Sequence, residues 1–100
     1  MSASKAPAIH PGEILRDLYL EPLDMTAYAL AKKLHVPRTR IERLVVGKVG
    51  VTADTALRLA KFFRTTPELW LNLQASYDIK IERANLAAEL EQIVEINEAA

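Results

Sequence analysis

The chain has 100 residues, half of them hydrophobic, with thirteen Lys/Arg balanced by thirteen Asp/Glu and no cysteine. That length supports one domain with a single modest core, and the composition is that of a folded globular chain. The missing thiol excludes disulfides, thiolate metal sites and cysteine nucleophiles.

Residues 1–9 are small and polar and read as a frayed tail. Their apolar stretch is too short for a signal peptide, and no run approaches the ~18 to 20 apolar residues of a membrane span. A cytoplasmic protein with no membrane partner is expected. In HPGEILRDLYLEPL, Pro11 suits a first helical turn and Glu13 the positive helix end. Ile14, Leu15, Leu18 and Tyr19 form one apolar stripe, and Glu21-Pro22 closes the helix.

Thr26 can cap a second helix, AYALAKKL, with Leu30, Ala31 and Leu34 inward. A third runs from about Arg38 to Val46 and ends at Gly47. Thr52 caps a fourth, ADTALRLAKFF, offering Ala56, Leu57, Leu59, Ala60 and Phe63 to the core. Thr66-Pro67-Glu68 starts a fifth over PELWLNLQASY, whose Trp70 is expected against the core or a dimer mate. From Asp78 a helical pattern resumes, with Leu86, Leu90, Ile93 and Val94 along one side. With no period-2 strand pattern, the expected fold is all-α with five or six helices, the last an additional acidic C-terminal helix at 79–100.

Charge is unevenly placed. Residues 32–64 hold nine Lys/Arg against Glu42 and Asp54, whereas residues 84–100 hold Glu89, Glu91, Glu95 and Glu98 with no base. Such a dipole suggests two surfaces, one of them for an anion. The second and third helices, joined by a tight turn, fit a helix-turn-helix unit: Ala31 is the small crossing residue, and Leu30, Leu34, Val36, Ile41 and Leu44 are the anchors. His35 stands where a left-handed glycine is usual, and histidine is among the residues that tolerate positive φ.

At about 100° per residue, Ile41, Leu44 and Val45 face inward on the third helix, while Thr39, Arg43 and Val46 lie roughly opposite. Arg43 can reach guanine O6 and N7, and Val46 or the Thr39 methyl can touch a thymine methyl. Arg38, Arg40 and Lys48 suit phosphates, with Lys32 and Lys33 adding backbone contacts from the neighbouring helix and Thr26 at its start. Glu42 either accepts from cytosine N4 or pairs with Arg38; the pairing is favoured, since an acid facing phosphates is repelled. His10 and Glu13 read as a local cap rather than half a metal site. No catalytic set, metal site or cofactor site is expected. The stripe at Leu86–Val94 needs either a partner (a toxin or a dimer mate) or its own core.

The chain resembles the HigA-type antitoxins, among the phage-repressor-like helix-turn-helix regulators. The resemblance rests on HPGEILRD at 10–17, EPL at 21–23, YALAKKL at 28–34, VPRTRI at 36–41, GK at 47–48, VTADTALRLAKFF at 51–63 and TTPELWLNLQASYD at 65–78. It implies a five-helix repressor-like helix-turn-helix domain at 10–78, a homodimer on palindromic double-stranded operator DNA, repression of its own operon, and a RelE-like (HigB-type) ribonuclease toxin as partner. By position, it puts DNA contacts on Arg38, Thr39, Arg40, Arg43 and Lys48. His35 departs from the usual glycine, and Ala27 from a glutamine that often contacts phosphate. A stand-alone repressor without a toxin is the alternative.

Overall fold

The computed structural model describes residues 7–97, and every described element is helical. Helix α1 (Pro11–Ile14) starts where the His10 side chain accepts a hydrogen bond from the Gly12 amide at 2.9 Å, the local cap expected of it. The helix continues in π geometry over Leu15–Leu20, with the Glu21 amide reaching back five residues to the Arg16 carbonyl. This wider turn corrects the expected stripe. Residues five apart now share a face, so Leu15 and Leu20 are buried while Leu18 points outward, 64% exposed.

Helix α2 (Ala27–Leu34) is capped by Thr26, whose hydroxyl accepts from the Ala29 amide at 3.0 Å. It ends at His35, left-handed with φ 60° and ψ 45°, and the Val36 amide returns to the Ala31 carbonyl at 3.1 Å. That 6→1 bond satisfies a terminal carbonyl and turns the chain into helix α3 (Arg38–Val45). Gly47, at φ 78°, ends the turn after α3. Helix α4 (Ala53–Phe63) begins at Thr52, which accepts from the Thr55 amide. Here Leu57 is another correction: it is exposed, and Thr55 is buried in its stead. Positions 55, 59 and 63 with 56 and 60 form the inward face, and Leu57 lies about 100° from Ala56, on its far side from Thr55.

Helix α5 (Pro67–Asn85) is capped by Thr66 and passes through Asp78 without interruption. The expected break there is absent because 78–80 contains no Gly or Pro, and the Gln74 amide group donates to Asp78 one turn on at 2.9 Å. Helix α6 (Ala87–Gln92) follows; Ile93 is extended and residues 94–97 carry no regular secondary structure, so the expected C-terminal helix ends at Gln92. Of the expected tail, residues 7–9 carry no regular secondary structure; residues 1–6 lie outside the described residues, as does Glu98.

One core unites α1 to α5: Leu15, Leu20, Leu30, Ala31, Leu34, Ile41, Leu44, Val51, Ala56, Leu59, Ala60 and Trp70. Trp70 is fully buried among the rings of Tyr19 and Phe63, and its indole N–H donates to Thr65 Oγ1 at 2.9 Å. Of the two settings expected for Trp70, this is the core. The second half of α5 and all of α6 project from this body as an arm, giving extents of 56 × 26 × 21 Å.

Candidate nucleic-acid interface

Ile41 and Leu44 anchor α3 in the core, fully or almost fully buried, with Val45 partly covered. This fixes the helix rotation and leaves Thr39, Arg43 and Val46 exposed on the other side. Arg43 and Lys48 have no ion pair among the described residues, so both are available to an external anion. Lys33 is exposed near the end of α2, whereas Thr26 has its hydroxyl engaged in capping at the other end.

The remaining bases are already positioned by neighbours. Arg38 pairs with Glu42 at 3.3 Å, as expected, and its guanidinium lies 5.3 Å from the Tyr28 ring centre. Lys32 approaches the same ring at 5.6 Å, within cation–π range. Arg40 reaches across to Asp54 at the start of α4, Nη1 to Oδ1 2.6 Å. Asp54 also accepts from Arg58 Nε at 2.7 Å, and Arg58 in turn donates through Nη1 to the Leu34 carbonyl at 2.8 Å. Arg58 first and then Arg40 hold the Asp54 carboxyl below the usual carboxylate range. Both acids of the basic segment thus serve to orient arginines.

Two contacts set where α3 and the loop after it lie. Gly12 abuts the end of α3 so closely that an added Cβ would fall 1.7 Å from the Leu44 carbonyl oxygen. Beyond the end of the helix, Gln74 Oε1 accepts from the Val51 amide at 2.7 Å and ties the following loop to α5. The HPGEIL and WLNLQ segments therefore act through structure, by seating the exposed helix.

Sequence reasoning missed Tyr28, Gly12, Gln74 and the Asp54–Arg58 pair. The four-residue spacings of Tyr28 with Lys32 and Asp54 with Arg58 were visible signals. The reach of Arg58 to the end of α2, and of Arg40 to α4, left no local trace.

Residues 15–70 match the helix-turn-helix family model. Among solved structures, an addiction-module antidote protein of a HigA family from Coxiella burnetii is 47% identical, covering 92% of this chain and 100% of that one with a TM-score of 0.86. The Pseudomonas aeruginosa antitoxin HigA, solved with the higBA promoter, is 38% identical over 88% of this chain and 96% of its own, with a TM-score of 0.84. Virulence-associated protein I of Dichelobacter nodosus is 53% identical over 78% of this chain and 72% of its own length. The fold, the exposed basic helix and these relatives agree: the chain belongs to the helix-turn-helix family of DNA-binding regulators, in its HigA-type antitoxin branch.

Proposed function

We propose that this protein binds palindromic operator DNA as a homodimer, represses the operon that encodes it, and neutralises a RelE-like (HigB-type) ribonuclease toxin in the cytoplasm. The observation that carries the reading is the outward face of α3, where Thr39, Arg43 and Val46 stand unobstructed over a buried Ile41 and Leu44. Arg43 reads guanine, and Val46 or the Thr39 methyl contacts thymine. Arg38, Lys48 and Lys33 serve the flanking phosphates, Thr26 does so from the opposite end of α2, and Arg40 stands beside Arg38 with its charge shared with Asp54.

Two copies are needed because a palindrome presents half-sites about one DNA turn apart, roughly 34 Å. The arm supplies a surface for the mate: Leu86, Leu90, Ile93, Val94 and Ile96 are all exposed, Val94 at 90%. A stripe of that size is rarely left wet. The acidic charge beside it also suits a basic toxin.

Gel shifts on the DNA upstream of its own gene, with and without the neighbouring gene product, test the reading. Arg43→Ala is expected to lose about 1–3 kcal/mol of sequence preference, while Lys48→Ala weakens all DNA and flattens the salt dependence. Binding untouched by Arg43→Ala sinks the recognition role. A neighbour that neither binds this protein nor cleaves RNA sinks the antitoxin role and leaves a stand-alone repressor.

A further inference from the structure

Asp54, Arg58 and Arg40 form the one ionic cluster among the described residues that joins three helices of the DNA-reading unit. A single oxygen, Asp54 Oδ1, accepts from Arg40 of α3 at 2.6 Å and from Arg58 of α4 at 2.7 Å. Arg58 extends the chain of contacts to the C-terminal carbonyls of α2, Leu34 at 2.8 Å and His35 at 3.4 Å. These carbonyls belong to the strained left-handed turn between α2 and α3.

We propose that Asp54 is a positioning residue for the recognition helix: through Arg40 and Arg58 it sets the angle at which α3 meets DNA. The proposal rests on the DNA-reading role of α3 argued above. It also assigns Arg40 to holding the helix rather than to neutralising a phosphate.

An isolated exposed ion pair has little effect, but a network with shared acceptors and a guanidinium serving both carboxylate and carbonyl is more directional. The depressed titration of Asp54, caused by both arginines, fits a carboxylate that stays ionised in this setting. A helix displaced by a fraction of an ångström keeps its phosphate attraction, which tolerates geometry, and loses hydrogen bonds to base edges, which do not.

The proposal therefore opposes simple electrostatics. Removing an acid from a basic face should tighten every DNA alike. If Asp54 positions α3, its loss must instead lower the ratio of specific to non-specific binding.

The test is fluorescence anisotropy with the full chain on two probes: a duplex of the DNA upstream of its own gene and a shuffled duplex of the same composition. For Asp54→Ala, the ratio of the two affinities should fall about tenfold, within the range that one base contact contributes. Arg58→Lys keeps the charge but cannot bridge carboxylate and carbonyls, so it should lower the ratio in the same direction; it also decides the matter if Asp54→Ala fails to fold. Arg40→Ala should leave the salt slope on the shuffled duplex unchanged, whereas Lys48→Ala should reduce it by about 0.9, the value for one phosphate.

An unchanged or raised ratio in Asp54→Ala or Arg58→Lys overturns the proposal, as does a slope reduction of about 0.9 in Arg40→Ala. If the wild-type protein shows no preference between the duplexes, the DNA-reading role itself falls and this inference falls with it. A wild-type preference with variant ratios intact removes the positioning role alone.

Discussion

The body of the molecule and the arm that leaves it are built from similar material and end in opposite states. In the body, Leu15, Leu30, Ile41, Leu44 and Leu59 are buried to 1% exposure or less. In the arm, Leu86, Leu90, Ile93 and Ile96 stay exposed although the chain is helical through Gln92. The difference is not propensity but opportunity: α1 to α4 are short and reverse at Asp24, His35, Gly47 and Arg64, all at positive φ, so their stripes meet one another. Beyond Tyr77, which still packs on His10, α5 runs on and leaves residues 81–97 exposed along their whole length. Helical periodicity reports that a stripe wants cover; chain reversal decides whether the cover is internal.

The most severe way to break the body is Gly12→Ala. Its Cβ would collide with the backbone of Leu44, which cannot rotate aside as a side chain can. Overpacking of this kind is expected to lower stability by about 3 kcal/mol or more in urea denaturation. A loss below about 1 kcal/mol would mean that α1 can retreat from α3 freely.

His35→Gly acts in the opposite direction. Relief of the left-handed conformation should raise stability by about 1 kcal/mol, with DNA affinity preserved. Weaker DNA binding by this variant would reveal a contact by the imidazole itself.

The arm should respond differently from both. Leu90→Lys with Ile93→Lys is expected to change the stability of the single chain by no more than about 0.5 kcal/mol, because neither side chain packs on the core. Sedimentation should nevertheless shift from dimer to monomer. A dimer that survives both substitutions would place the two-fold interface elsewhere.

The smallest effect is expected where α1, the loop after α3 and the root of the arm meet. His10 caps α1 through Nδ1 and packs edge-on against Tyr77 of α5, ring centres 4.9 Å apart. Desolvation lowers its pKa below the ordinary 6.5, a shift opposed by Asp78, the Val49 backbone and Glu13. Because the folded state disfavours the proton, this contribution to stability is present above 6.5 and is lost as pH falls through the lowered value. Asn also accepts at an N-cap, so His10→Asn should retain the helix start and flatten that part of the pH profile in thermal denaturation. An unaltered profile would assign the acid sensitivity to other groups.

Much of the candidate interface was legible before any coordinates. Capping at Thr26, Thr52 and Thr66, the left-handed turn at His35 and the Arg38–Glu42 pair all depend on neighbours within four residues. Leu18 and Leu57 were misplaced for a related reason. An ideal wheel assumes one turn length and one centre for the apolar face, whereas the π turn at Leu15–Leu20 and the inward Thr55 change both.

By itself, the sequence determined an all-helical chain, the order of its helices and which face of α3 carries Thr39, Arg43 and Val46. Those features follow from short-range hydrogen bonding and from the period of one helix. Only the tertiary structure decided that Gly12 seats α3, that Gln74 holds the loop behind it, and that Asp54 gathers Arg40 and Arg58 from different helices. It alone decided that the C-terminal stripe stays uncovered. Contacts between residues distant along the chain depend on how helices cross, and crossing is set by the packing of the whole core.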